Sequence, residues 1–267
     1  MTFSIVTISF NQGAFLERAI RSVLDQKGVD VQYIVVDPGS TDGSRDIIER
    51  YRDQIDLIIY DKDDGPADGL NRGLAASTGE FFGYINADDA FVPGALAEAA
   101  AFLKAHPEID VVCGNGHFID EQDRKLKHLI SSRKMDADRY ARGSVFIFQQ
   151  GAFHRTEPLR AIGGFNVENR TSWDGEAYLD LAREGRQFKR VWRDWGLFRL
   201  HCDSMTGSGK AHQRYLADCE RMFVRQFARP RNRWDRVRAQ IERVTTLISD
   251  PRRLLVRLGD RFGARSI

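Results

Sequence analysis

Three clusters of polar residues have types and spacings that could do chemistry, and each follows a short apolar run. Asn86-Ala87-Asp88-Asp89 comes directly after EFFGYI at 80–85. Two adjacent carboxylates repel one another unless a cation, a donor or water offsets the charge. A hard divalent cation that shares diphosphate oxygens is one solution, since Mg²⁺ takes a few carboxylates together with phosphate and water. A solvated turn capping the next helix is the other, because Asp is common in turns. The second cluster is VVDPGSTDGS at 35–44. There Asp37 could accept a hydrogen bond from a nucleobase N–H, while the Gly-containing turn lets backbone approach a ligand. Equally, it could only order a strand–turn–helix connection. The third is DDGPADGLNRG at 63–73. Arg72, at the start of a helix, could reach phosphate oxygens or be ordinary surface charge.

Placing such clusters requires strands that end where they begin. Residues 3–10 are a β-rich apolar run closed by Asn11-Gln12-Gly13, and 14–26 carry Phe15, Ala19, Ile20, Val23 and Leu24 at helical spacing. QYIVVD at 32–37 is a second strand, after which Ser40 or Thr41 can cap a helix holding Ile47, Ile48 and Tyr51. Residues 57–60 read as a third strand, 69–76 as a helix and EFFGYI as a fourth strand. An alanine-rich helix follows at 94–105, then a strand at 110–113, later strands at 146–153 and 190–200, and a helix at 176–184 between them. Residues 120–143 are polar and charged and read as a loop over the site. Apolar strands separated by helices predict an α/β fold with a mostly parallel sheet covered on both faces. In such sheets the ligand lies beyond the carboxyl ends of the strands.

The order of these clusters resembles that of the family 2 glycosyltransferases, which have the Rossmann-like GT-A fold. IVTISFNQGAFLERAIRSVLDQ, QYIVVDPGSTDGS, DDGPADGLNRGLAASTGEFFGYINADDAFVPGAL, GAFHRTEPLRAIGGFN and FRLHCDSMTG carry the likeness, in family order, over roughly residues 3 to 207. The resemblance implies a GT-A domain over 1–209 and a basic helical extension over 210–267. It implies transfer of a sugar from a nucleotide-sugar donor, a UDP-sugar above all, with inversion at the anomeric carbon, to a hydroxyl of a saccharide or lipid-linked saccharide in surface polysaccharide or glycolipid assembly. Residue by residue, it assigns base binding to Asp37 beside Phe10, the metal to Asp88, the ribose to Asn86, and a supporting place to Asp89. Asp68 and Arg72 stand where some members contact the donor. This chain departs from the family in having Asn86 where Asp is common, which leaves the number of protein ligands to the Mn²⁺ or Mg²⁺ open.

The same resemblance places the catalytic base in SWDGE at 172–176. Inverting displacement needs one carboxylate to take the acceptor proton, and Asp174 aligns with that position, with Glu176 as the fallback. Acids enriched at a helix N-terminus for its dipole would look the same. His201, after a late strand, is implied as a metal or diphosphate ligand, and Ser204 and Thr206 as phosphate contacts.

Bulk properties narrow the alternatives. With 42% hydrophobic and 29% charged residues the composition is that of a soluble protein. Three dispersed cysteines without a CxxC spacing read as reduced thiols in the cytoplasm, and the first residues do not read as a signal peptide. The net charge of +2 hides an asymmetry: residues 210–267 hold 15 Lys and Arg against 6 Asp and Glu. Trp234, Val237, Ile241, Val244 and Ile248 repeat at 3-4-3-4 spacing, continued by Leu255, Leu258 and Phe262, which predicts an amphipathic helix. Its apolar stripe could dock on the protein itself, pair with another subunit, or touch the inner face of an anionic membrane. A nucleotidyltransferase would want a Gly-rich basic loop after the first strand, and a dehydrogenase GxGxxG; neither is present. A non-catalytic binding or scaffold protein on the same fold stays open, and the acidic body argues against nucleic acid.

Overall fold

The computed structural model describes residues 2–202 and 212–256. Ser204, Thr206, Leu258 and Phe262 lie outside them, as does the 209/210 boundary. The N-terminal half follows the predicted alternation. Strands β1 (Phe3–Ile8), β2 (Val31–Val36), β3 (Leu57–Ile59) and β4 (Phe81–Asn86) alternate with helices α1 (Gly13–Leu24), α2 (Ser44–Arg50) and α3 (Pro66–Ala76). They pair in parallel in the order β3-β2-β1-β4. The next elements are β5 (Ala90–Phe91), α4 (Ala95–Ala105), β6 (Val111–Ile119), β7 (Lys125–Leu129), α5 (Ala137–Ala141), β8 (Ala152–Arg155), α6 (Thr156–Ala161), α7 (Trp173–Arg183) and β9 (Phe188–Arg199). This half of the sheet is mixed: β8 runs antiparallel to β4 and β6, β6 is parallel to β9, and β5 and β7 add antiparallel edges.

The apolar runs are continuous because the parallel strands are buried on both sides. Ile5, Tyr33, Val35, Phe81 and Ile85 pack on Leu16, Ile20, Ile48, Leu96 and Leu103 of α1, α2 and α4. The alternate residues Val6, Ile34, Val36, Phe82 and Tyr84 pack on Leu70, Leu74, Leu159 and Tyr178 of α3, α6 and α7. A Cβ at Gly73 would come within 2.6 Å of Val6, so glycine there lets α3 lie close on β1.

Two regions differ from the sequence reading. Residues 120–143 are not one loop, since they contain β7 and α5. The strand expected at 146–153 begins only at Ala152, after a 3-10 turn at Gln149–Gly151. Helices α8 (His212–Phe227) and α9 (Arg233–Ile248) complete the described chain. Asn232 starts α9 with a reciprocal cap, accepting from the Trp234 and Asp235 amides while Asp235 accepts from its own. The charged side of α9 faces the body: Glu242 takes Arg142 at 2.8 Å and the Ser144 hydroxyl at 2.6 Å. The predicted apolar stripe therefore does not dock on its own domain.

Candidate active site

Beyond the carboxyl ends of β1, β2 and β4 opens a cleft of about 1340 Å³. Phe10, Asn86, Asp88 and Asp174 all line it, together with Pro38, Lys62, Asp63, Tyr84, Gln150 and Trp173. Residues from three loops and from α7 thus meet in one place.

Asp37 ends β2 fully buried. Its Oδ1 accepts from the Gly39 and Ser40 amides at 3.1 and 2.8 Å and from Arg45 Nε at 3.2 Å. Its Oδ2 is buried without a hydrogen-bond partner, as is Ser9 Oγ at the end of β1. Unpaired buried acceptors are costly in a folded protein and point to a ligand donor. The two loops are cross-linked: Asn11 Oδ1 accepts from the Thr41 amide at 2.8 Å, and Asn11 sits at φ 52°, a conformation Asn tolerates. This turn leaves the Phe10 ring 60% exposed on the cleft.

The NADD turn divides its labour. Asp89 is fully buried and accepts from Asn86 Nδ2 at 3.0 Å, Gln150 Nε2 at 2.7 Å and the Arg199 amide at 2.9 Å. Burial, and then the charge of Asp88 beside it, raise its carboxyl well above the usual range. Asn86 is explained here, because an Asp in its place would face Asp89 with a further negative charge instead of a donor. Asp88 turns toward the cleft, and its Oδ2 lies 3.1 Å from His201 Nε2. Neighbouring ligands of one octahedral ion are about 3 Å apart, so this oxygen–nitrogen pair fits a shared divalent cation.

Arg199 was not picked out from sequence. Its buried guanidinium donates to Asp88 O at 2.9 Å and to Asp120 O at 2.6 Å, pairs with Asp123 at 2.5 Å, and lies over the Phe15 ring. It therefore fixes the end of β9, and with it His201, to the NADD turn. Gln150, equally missed, anchors Asp89 from the opposite side.

Asp174 lies in the first turn of α7, on the cleft wall. Burial raises its carboxyl above the usual carboxylate range, against the lowering effect of the Gly175 and Asp174 amides. Glu176, one turn in, has a different environment. It is buried and accepts from Asn166, Asn169, Arg221 and Arg225 at 3.1, 2.7, 2.8 and 2.6 Å. Burial pushes it up, but Asn169, Asn166 and Arg221 outweigh that and hold it below its usual range. It ties α7 to α8 and does not line the cleft. Glu176→Ala should lower stability by about 2–3 kcal/mol, less than a fully buried pair because both arginines are over a third exposed. Urea unfolding measures this. Asp68 and Arg72 also lie off the cleft, paired at 3.0 Å, with Arg72 donating to Asp61 O. They brace the loop that presents Lys62 and Asp63.

One further group could hold an ion among the described residues. His117, His128 and Asp194, on β6, β7 and β9, have ligand atoms within 4.8 Å of one another. His128 Nε2 lies 2.8 Å from Asp194 Oδ1, and the two imidazoles are stacked.

Comparison with known proteins agrees with this geometry. An uncharacterised glycosyltransferase of Nostoc sp. is 34% identical over 231 residues, covering 81% of this chain and 64% of that protein. The chain thus spans less than two thirds of that relative's length. Among solved structures, S. aureus TarS in complex with UDP-GlcNAc matches with TM-score 0.71 at 17% identity, over 93% of this chain and 73% of TarS. The mannosyltransferase PcManGT from Pyrobaculum calidifontis, in complex with GDP-Man and Mn²⁺, matches with TM-score 0.64 at 16% identity, over 99% of this chain and 75% of its own. The family model for glycosyl transferase family 2 matches residues 4–163, which hold Asp37, the NADD turn and the strands that carry them, and to that family the chain belongs.

Proposed function

We propose that the protein is an inverting glycosyltransferase that moves a sugar from a nucleoside diphosphate, UDP in first place, to a hydroxyl of a saccharide or lipid-linked saccharide. The observation that carries this is the shared cleft, in which Asp88 and Asp174 face the same space at the strand ends. Asp37 Oδ2 would accept from the base N–H, and the exposed Phe10 ring would stack on the base. Asn86 would face the ribose, and Lys62 adds positive charge for the diphosphate. Asp174 would take the proton of the acceptor hydroxyl as its oxygen bonds to the anomeric carbon. The bond from that carbon to the diphosphate oxygen breaks, and its electron pair leaves with the nucleoside diphosphate. One base suffices because this leaving group is already a stable anion.

Asp88 and His201 would hold a divalent ion, and a nitrogen ligand favours Mn²⁺ over Mg²⁺. Such an ion would offset charge that develops on the diphosphate. The two neighbouring folds have been seen with UDP-GlcNAc and with GDP-Man plus Mn²⁺, which supports a nucleotide-sugar donor.

Calorimetric titration with UDP, GDP and dTDP, with and without Mn²⁺, tests the donor site. One nucleotide should bind in a metal-dependent way. Asp37→Asn should weaken it about tenfold or more, because the substitution sets an N–H against the base N–H and loses a charged acceptor. Failure of all three nucleotides to bind would overturn the transferase reading in favour of a non-catalytic protein.

A further inference from the structure

Helix α9 is inside out. Its inward residues are polar or small: Asp235 and Ala239 are buried, Glu242 and Thr246 are largely covered, and Asp250 just beyond is buried too. Its apolar residues point away from the protein, with Trp234 65%, Ile241 59% and Ile248 72% exposed, and Val237 and Val244 about half exposed. At 100° per residue these five fall in an arc of about 80°, on roughly the opposite side from the buried set. Leu255, 67% exposed, continues the stripe after Pro251. An exposed row of this kind costs free energy in water and marks a contact surface.

Charge decides what the contact is. The acids of this segment are turned inward and neutralised: Asp235 pairs with Arg229, Glu242 with Arg142, and Asp250 with Arg190. The exposed charges of residues 233–256 are Arg233, Arg236, Arg238, Arg243 and Arg252, all positive. Two copies meeting through the stripe would bring these arginines against each other with no exposed acid to offset them. An anionic lipid surface offers both an apolar layer for Trp, Val and Ile and negative charge for the flanking arginines. Trp at one end of the stripe suits the headgroup boundary. No helix among the described residues is long and apolar enough to cross a membrane, so the contact is peripheral.

We propose that α9 lies flat on an anionic bilayer with Trp234, Val237, Ile241, Val244 and Ile248 inserted. Arg231 and Arg243, at the ends of this region, also line the cleft. The docked surface therefore brings the cleft rim close to lipid headgroups. For a lipid-linked acceptor this would deliver the reacting hydroxyl from the membrane, a consequence that rests on the transferase reading, whereas the docking itself does not.

The test is co-sedimentation of the full chain with vesicles of phosphatidylcholine alone or mixed with phosphatidylglycerol, at low and high salt, without substrate. Wild type should pellet with the anionic vesicles, more weakly at high salt. The double variant Ile241→Glu/Ile248→Glu should pellet at least tenfold less, while keeping wild-type helicity, Tm and nucleotide binding, since both residues are exposed. Equal pelleting of variant and wild type, or no pelleting of wild type, overturns the proposal. So does a wild-type dimer in analytical ultracentrifugation that the double variant reduces to monomer, which would assign the stripe to a second copy.

Discussion

Asp174→Asn is expected to lower kcat by about 10²–10⁴-fold, the usual worth of a positioned general base, while nucleotide affinity in the presence of Mn²⁺ stays near wild type. Asn keeps the shape of the side chain and its place in the first turn of α7, but cannot accept the acceptor's proton. In the wild type, kcat/KM should fall tenfold per pH unit on the acid side, with the midpoint above the ordinary carboxylate range because burial raises Asp174. In the variant that limb should vanish. The same shift has a stability consequence of determined sign. A folded pKa above the unfolded value contributes stability that is present below the unfolded pKa and is lost as pH rises through the folded pKa. At pH 8 wild type therefore carries the cost of a buried charge that the variant lacks, so the variant's Tm should be higher by roughly 2 °C or more. Toward pH 4 the gap should close. A pH-independent gap would show that Asp174 is not raised, and undiminished turnover would remove it as the base.

The contrast with Glu176 shows why two acids in one helical turn do not compete. Glu176 is ionised, as a base must be, but four donors occupy its oxygens. A carboxylate already engaged by two arginines is a weak proton acceptor. Asp174 has the raised basicity and the open wall. From sequence both were acids near a helix start, and the residues that separate them, Arg221 and Arg225, lie 45 and 49 positions away.

That pattern describes what was legible. The parallel half of the sheet announced itself through apolar strands, each ended by a polar turn, and Asp37, Asn86 and Asp88 were found at those ends. β6 was read too short, stopping at Cys113. Gly114 and Gly116 interrupt its apolar run for a reason that sequence does not display. A Cβ at Gly116 would lie 2.0 Å from Gly196 O, and one at Gly114 would lie 2.6 Å from the Trp195 ring. These glycines mark a close approach of β9. Arg199 and Gln150 escaped notice because they act only through residues 61 or more positions away. The α9 spacing revealed an amphipathic helix, but periodicity is the same whichever face turns inward. Only the partners of Glu242 settle that.

Asp88→Asn should weaken Mn²⁺-dependent nucleotide binding by at least about tenfold, and His201→Ala should do the same, since each removes one of two protein ligands. With EDTA present, both variants and wild type should converge on one weak affinity, because only the metal-borne part of binding has been removed. That convergence separates loss of a ligand from damage to the base pocket, which would persist with EDTA. The Asp88→Asn case carries a second consequence. Asp88 and Asp89 are adjacent, and the raised carboxyl of Asp89 owes part of its shift to Asp88, so neutralising Asp88 should leave the turn as stable as before or more so. Lost metal binding with retained Tm is the expected signature. Asp194→Asn supplies the control, as it disarms the His117, His128 and Asp194 group on the far strands. Should Asp194→Asn abolish the Mn²⁺ dependence and Asp88→Asn leave it intact, the functional ion would belong to that group, and the diphosphate would have to be placed beside β7 and β9.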